Sequence, residues 1–234
     1  MQFKEIVAPS MKELFVNNIE ELILSGQLKI GEKLPPEREL AEQMRVSRTI
    51  VNLGLAELAK KGFLDIHPRQ GVYVSDYVER GNLETLLSIM NFNGGKLDFG
   101  MLSSICEFRR IVEGRAYELA AQNRTQEDLE MLFGLLQKVN TTKNITELSD
   151  YIFEFHHVVF CASKNCILPL VHNGLESISK RITNQLFETS PNNFVINGIE
   201  KLYHNIKSQD AQGAKNAIIE VIDKGMEYMS TLYH

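Results

Sequence analysis

The stretch from Pro35 to Val74 constrains this chain most. It reads PPERELAEQMRVSRTIVNLGLAELAKKGFLDIHPRQGVYV. Two prolines open a short helix over Glu37–Met44, because a missing N–H costs nothing in a helix's first turn. Leu40, Ala41 and Met44 share one face of that helix. Arg45 and Val46 make a tight turn, and Ser47 can cap a second helix by accepting a backbone N–H two or three residues on. The second helix turns Val51, Leu55, Leu58 and Ala59 inward and stops at Gly62, which suits a helix C-terminus. Alternating β-formers on either side of Pro68-Arg69-Gln70-Gly71 then predict a hairpin. Helix, turn, longer helix and hairpin are the parts of a winged helix-turn-helix.

The outward residues of the second helix carry the chemistry. Its first turn displays Ser47, Arg48, Thr49 and Asn52. A reading helix meets a duplex with its N-terminal residues. There Arg can bond bidentately to guanine, and Asn to adenine. Ser and Thr hydroxyls, with the free N–H groups of the helix start, can hold a phosphate. Arg69 at the hairpin tip can reach the backbone or a minor groove.

At this point a resemblance becomes specific. The stretch resembles the winged helix of the GntR family of bacterial transcription regulators, whose pattern runs G-x-L-x-x-G-x-x-L-P-[SP]-E-R-x-L-A, then V-S-R-T-x-V, and closes on R-x-G-x-x-V. Gly26, Leu28, Gly31, Leu34, Pro35, Pro36, Glu37, Arg38, Leu40 and Ala41 fit it. So do Val46, Ser47, Arg48, Thr49, Val51, Leu55, Leu58, Arg69, Gly71 and Val74. The resemblance implies DNA contacts at Arg38, Ser47, Arg48, Thr49, Asn52, Arg69 and Gly71. One departure falls on the reading surface: Asn52-Leu53-Gly54 stands where the family has Arg-Glu-Ala, so the operator should differ from those of relatives.

Composition bounds the alternatives. The chain has 234 residues and is 44% hydrophobic, enough for one or two cored domains. No apolar run reaches the ~18 residues of a membrane span. The first residues, Met1-Gln2-Phe3-Lys4-Glu5, lack a signal peptide's apolar segment, so the cytoplasm is the expected compartment. Cys106, Cys161 and Cys166 have no zinc-type spacing and read as core thiols. The net charge of −5 does not announce a DNA binder. The cations must therefore cluster: Arg38, Arg45, Arg48 and Arg69 around the DNA face, with Glu20, Glu21, Glu32 and Glu57 turned away. Non-specific affinity should be modest and salt-dependent.

Along the chain, Pro9–Ser25 reads as an opening helix, Ser75–Arg80 as a polar linker and Asn82–Met90 as a short helix broken over Asn91–Gly95. The domain boundary is expected near Asp76–Arg80, giving a DNA-binding domain over 1–77 and a second domain over 78–234. From Phe99 on the pattern is helical, with helices expected over Gly100–Asn123, Thr125–Asn140, Thr146–Ser163, Ile167–Thr189, Val195–Ser208 and Ala211–Leu232. The fold class is mostly α: a winged helix-turn-helix followed by an all-α antiparallel bundle with its ligand site between helices.

This second half resembles the FCD effector domain found in one branch of the same family. Glu107 through Ala121 follow its E-x-R-R-x-x-E opening. Phe155, His156, Val159, Ala162, Ser163 and Asn165 follow its central motif, and His204 through Ala214 its late one, one residue irregular at Ile206. Many such domains bind a divalent metal through one Asp and three His. Here Ile152 stands at the Asp position and Val221 near the last His position. Only His156 and His204 remain as weak metal candidates, and no cofactor is expected; zinc usually takes at least three protein ligands. Arg109, His156 and His204 are instead the candidate effector contacts, with Arg109 suited to a carboxylate or phosphate. Each also has a purely structural reading: an ion pair with Glu113 for Arg109, a satisfied core imidazole for each His.

The resemblances together imply a homodimeric, non-enzymatic repressor-type regulator. Two winged helices would meet the half-sites of a pseudo-palindrome, under control of a small effector that is anionic or acyl-bearing. Two alternatives stay open: a metal-dependent hydrolase built on His156 and His204, and a protein-interaction module.

Overall fold

The computed structural model describes residues 8–92, 99–190 and 193–231. The chain divides into two compact units, Met1–Lys96 and Leu97–His234.

In the first unit, α1 (Met11–Leu24) starts at Ser10, which shares a reciprocal capping box with Glu13. α2 (Glu37–Gln43) follows Pro35-Pro36, and α3 (Arg48–Lys60) begins at the Ser47 cap. The turn between them places Arg45 in the left-handed region, at φ 53°. β1 (Leu64–His67) and β2 (Gly71–Val74) pair antiparallel, with Leu64 opposite Val74 and His67 opposite Gly71. The segment before α2 adds to the outer edge of β2. Gly31 N–H donates to the Val74 carbonyl at 2.8 Å, and Leu34 N–H to the Val72 carbonyl at 2.9 Å. Val74 N–H in turn donates to the Glu32 carbonyl at 2.8 Å. Phe15, Ile19, Val51, Leu58 and Phe63 form the centre of the core beneath α3. Each such side chain contributes about 1.5–3 kcal/mol by leaving water.

The first unit runs farther than the expected boundary at 77. The segment 75–80, expected as a plain linker, holds a one-turn helix, α4 (Tyr77–Arg80), capped by Asp76. Arg80 pairs with Asp65 of β1 at 2.7 Å. α5 (Leu83–Phe92) packs on α1, with Ile89 against the core. Its polar residues dock as well. Ser88 bonds Glu20, Glu84 pairs with Lys60 at 2.9 Å, and the Thr85 hydroxyl donates to the Lys61 carbonyl. These contacts reach 24 to 68 residues along the chain, so local pattern does not reveal them. The expected break over Asn91–Gly95 lies mostly outside the described residues.

The second unit holds seven helices among its described residues. They are α6 (Phe99–Asn123), α7 (Gln126–Thr141), α8 (Ile145–Ala162), α9 (Leu168–Gly174), α10 (Glu176–Thr189), α11 (Phe194–Lys207) and α12 (Ala211–Ser230). Thr125 and Asp128 form the expected capping box at the start of α7. α6 packs along α12 and α8, and α7 along α8 and α11. One expected helix, 167–189, is two. Leu175 leaves helical geometry at φ −102°, ψ 11°, and the chain restarts at Glu176. The break lets α9 turn His172 into α8, where Phe153 and Phe160 stack on its ring at 4.3 and 4.6 Å. No helix among the described residues is long and apolar enough to cross a membrane.

Candidate functional site

In the first unit, the start of α3 stands open. Ser47 Oγ accepts from Ile50 N–H at 3.3 Å, and Arg48, Thr49 and Asn52 are all exposed. The α3 core face is spent on Val51, Leu55 and Leu58, so 48, 49 and 52 turn outward. A cleft of about 570 Å³ lies between the start of α2, the start of α3 and the hairpin. It gathers Arg38, Arg48, Arg69 and Gly71 from three separate points of the chain. Thr49 and Asn52 lie beyond it on the helix.

The electrostatics follow from which charges are already committed. Arg48 and Arg69 have no ion-pair partner among the described residues. Arg38 pairs with Glu42 at 3.0 Å, both well exposed. Such a pair is worth little in water and yields readily to a phosphate. Glu57 pairs with Lys12 at 2.7 Å and Glu20 with Lys61 at 2.9 Å. Glu37 lines the cleft with Lys33, Arg38, Arg48 and Arg69, so its cations outnumber its acid and the face is cationic.

Gly71 supports this face through its backbone. It sits at φ 126°, and a Cβ there would meet Lys33 Cε at 2.6 Å. Arg69 adopts φ 65° at the tip. Lys33 and His67, which were not among the expected contacts, line the same cleft. Lys33 bridges Tyr73 and stands 5.8 Å over its ring. The signal for Lys33 was its place two residues before Pro35, on the strand-like segment, but nothing local says that segment joins the hairpin.

In the second unit, Arg109 and Glu113 form a bidentate pair on α6, at 2.5 and 3.2 Å. Their side chains are only 19% and 12% exposed. Burial works to raise the Glu113 carboxyl, but the Arg109 charge and hydrogen bonds outweigh it and hold it below its usual range. One turn on, the Tyr117 hydroxyl shares a 2.7 Å hydrogen bond with His156 Nδ1. Burial pulls His156 down to about 4, so its ring is neutral near pH 7. His172 Nε2 donates to the Phe153 carbonyl at 3.2 Å, and burial lowers this His too. The His156 and His172 rings lie 6.4 Å apart. Glu113, Tyr117 and His172 belong to this cluster and were not among the expected effector contacts. Arg109 takes the ion pair that its i,i+4 spacing to Glu113 allowed.

His204 is a correction. α11 buries Val195, Ile199, Leu202 and Ile206, which turns position 204 to the other side. Its side chain is 63% exposed and its nearest acid is Glu200, at 4.0 Å. His156 and His204 therefore do not share a site, and the hydrolase built on the two has no geometry to stand on.

A resident metal does not fit the donors present. Ile152 is buried at the position where a carboxylate would be needed, and Val221 is partly buried on α12. His156 Nδ1 is engaged by Tyr117 and His172 Nε2 by a carbonyl. Among the described residues no group of three or more His, Cys, Asp or Glu is disposed to hold an ion.

Comparison with known proteins covers both units. Residues 15–74 match the model of the bacterial regulatory proteins of the gntR family. Residues 104–224 match the FCD domain. The chain is 26% identical to the HTH-type transcriptional regulator Mce2R of Mycobacterium tuberculosis, over 95% of this chain and 93% of that protein. It is 28% identical to the HTH-type transcriptional regulator LutR of Bacillus subtilis, over 67% of this chain and 70% of that one. Among solved structures it resembles Lar, described as controlling the Listeria monocytogenes agr system, with a TM-score of 0.67. That match has 16% identity and covers 97% of this chain and 100% of the other, so it speaks to the fold alone.

Proposed function

The chain belongs to the GntR family of bacterial transcription regulators, its second unit being an FCD effector-binding domain, and from that premise we propose that it works as a homodimeric repressor. It is a DNA-binding regulator and not an enzyme. The proposal concerns how it reads and releases DNA. Arg48, Thr49 and Asn52 enter a major groove. Arg38, Ser47 and Arg69 hold the flanking phosphates, and Gly71 lets the hairpin return close to the backbone. Two copies meet two half-sites related by a two-fold axis. The observation that carries this reading is the convergence of Arg38, Arg48 and Arg69 on one cleft beside the exposed start of α3.

The effector is a small acyl- or carboxylate-bearing molecule that docks at the Arg109–Glu113–Tyr117–His156 cluster without a resident metal. The cluster is close to neutral in sum, because the carboxylate cancels the guanidinium and both imidazoles are uncharged near pH 7. It therefore selects by hydrogen bonding and shape more than by charge. Effector binding favours a dimer geometry that no longer matches the half-site spacing, which couples the two sites through differential binding.

Fluorescence anisotropy against the chain's own upstream region tests the reading. Salt-sensitive, sequence-specific binding that weakens when the co-purifying small molecule is added back is expected. Binding that is equal for all sequences overturns it. Mass spectrometry of the purified protein identifies the molecule.

A further inference from the structure

α3 carries an exposed apolar residue on its reading face that no role above uses. Thr49, Asn52, Leu53 and Ala56 are all exposed. They recur at i, i+3, i+4 and i+7 and so form one stripe along the helix. Leu53 is 55% exposed, and it stands one residue from Asn52 and one turn from Thr49. An isolated surface leucine needs no explanation. This one lies on the helix that also presents Arg48 and the Ser47 cap, between a carboxamide and two further methyl-bearing side chains.

The major groove has one apolar feature, the 5-methyl group of thymine. An A·T pair offers that methyl and, on its partner base, the N6/N7 edge that a carboxamide bonds bidentately. The stripe is complementary to both. We propose that Leu53 is a specificity-determining residue that packs on a thymine methyl, beside an adenine read by Asn52. The core of each half-site is then A·T-rich where α3 enters. The proposal rests on α3 entering the groove, and it adds what α3 recognises there. It also assigns a consequence to the departure at 52–53 from the Arg-Glu of the family pattern: guanine-reading charge is replaced by a pairing suited to adenine and thymine.

The test uses the full chain. Selection from a randomised duplex library gives the preferred site. Each thymine of the half-site core is then replaced by deoxyuridine, which removes only the methyl, and affinities are read by anisotropy. At one position, replaced in both half-sites together, the wild type should lose about fourfold per half-site, the worth of one buried methyl group in each. Leu53→Ala should bind the thymine duplex about as weakly and lose almost nothing further with deoxyuridine. Asn52→Ala should lose its preference at the neighbouring adenine. Deoxyuridine costing the wild type and Leu53→Ala equally at every position overturns the proposal. So does a Leu53→Ala protein whose discrimination is intact but whose sedimentation shows a changed oligomeric state, which would make Leu53 a contact between copies. Failure to enrich any duplex overturns the groove-entry reading itself, and is recognisable because it precedes the deoxyuridine step. Leu53 is exposed and alanine favours helix, so loss of folding does not confound the comparison.

Discussion

The ring of Phe15 occupies the space that a side chain on Gly54 would need. A Cβ at position 54 would stand 2.3 Å from Phe15 Cδ1 and 2.7 Å from Cε1. α1 and α3 thus approach one another through an aromatic ring fitted against bare backbone. The family pattern has alanine at this position, so a bulky residue on α1 and a glycine on α3 act as a matched pair.

Gly54→Ala should therefore destabilise the protein although alanine is the better helix former. Overpacking a core costs about 1–3 kcal/mol, while exchanging glycine for alanine in a helix returns at most about 1 kcal/mol. Adding Phe15→Leu should recover most of the loss. Urea unfolding of the two single variants and the double variant measures the coupling. A Gly54→Ala protein as stable as the wild type would remove the argument.

Arg69→Ala should weaken DNA binding uniformly across sequences. One phosphate contact fewer in each half-site, two per dimer, lowers the slope of log affinity against log salt by about 1.8. Arg48→Ala should instead erase preference at one base pair, at a cost of about 1–3 kcal/mol in discrimination. Titrations at several salt concentrations separate the two effects. Identical behaviour of the two variants would contradict the roles assigned to the hairpin tip and the helix start.

Arg109→Ala leaves the Glu113 carboxylate enclosed without a partner. Breaking a buried pair in this way costs about 3–5 kcal/mol. Replacing both members with apolar residues, as in Arg109→Met with Glu113→Leu, should be far milder. Thermal melts of the three proteins check this. If the single and double variants melt together, the pair does not hold the cluster as described.

Stability should also fall as the pH drops from neutrality. His156 has a folded value of about 4, below the ordinary 6.5. Between those values the unfolded chain takes up a proton that the folded chain refuses. The stability this neutral imidazole contributes is thus full above about 6.5 and is lost as pH falls toward 4. From pH 7 to pH 5 the loss is about 2 kcal/mol. His156→Gln should show a correspondingly flatter profile over that interval, and a profile as steep as the wild type would count against a buried neutral ring.

Local chemistry made the reading head legible in the sequence. The Ser47 cap, the Pro35-Pro36 start, the Thr125–Asp128 box and the Pro68–Gly71 turn each act within a few residues, so their outcome can be read from those residues. What stayed hidden is non-local. α5 belongs to the first unit because Ser88 finds Glu20 and Thr85 finds Lys61, contacts that no helical periodicity announces. The break at Leu175 was local instead: it directly follows Asn173-Gly174, a pair that favours a turn, and the restart leaves His172 stacked on two phenylalanines of α8. In the polar cluster, Arg109 and His156 were found by motif. His172 and Tyr117 were not, because only the packing of α9 and α6 on α8 brings them there. His204 was named from a motif that fits one residue irregularly at Ile206, and it lies on the exposed face of α11.

The strand-like segment 31–34 stitches the hairpin along its second edge to the approach of α2. A hairpin whose β2 is paired on both of its edges, by β1 and by the 31–34 segment, has few arrangements to surrender when it meets a duplex. Only the tip at 68–70 is left to adapt. Association should then proceed as the meeting of two preformed shapes, with a small ordering entropy and rapid on-rates, and in the proposed dimer a response to ligand would come from how whole reading heads are spaced rather than from any loosening within one of them.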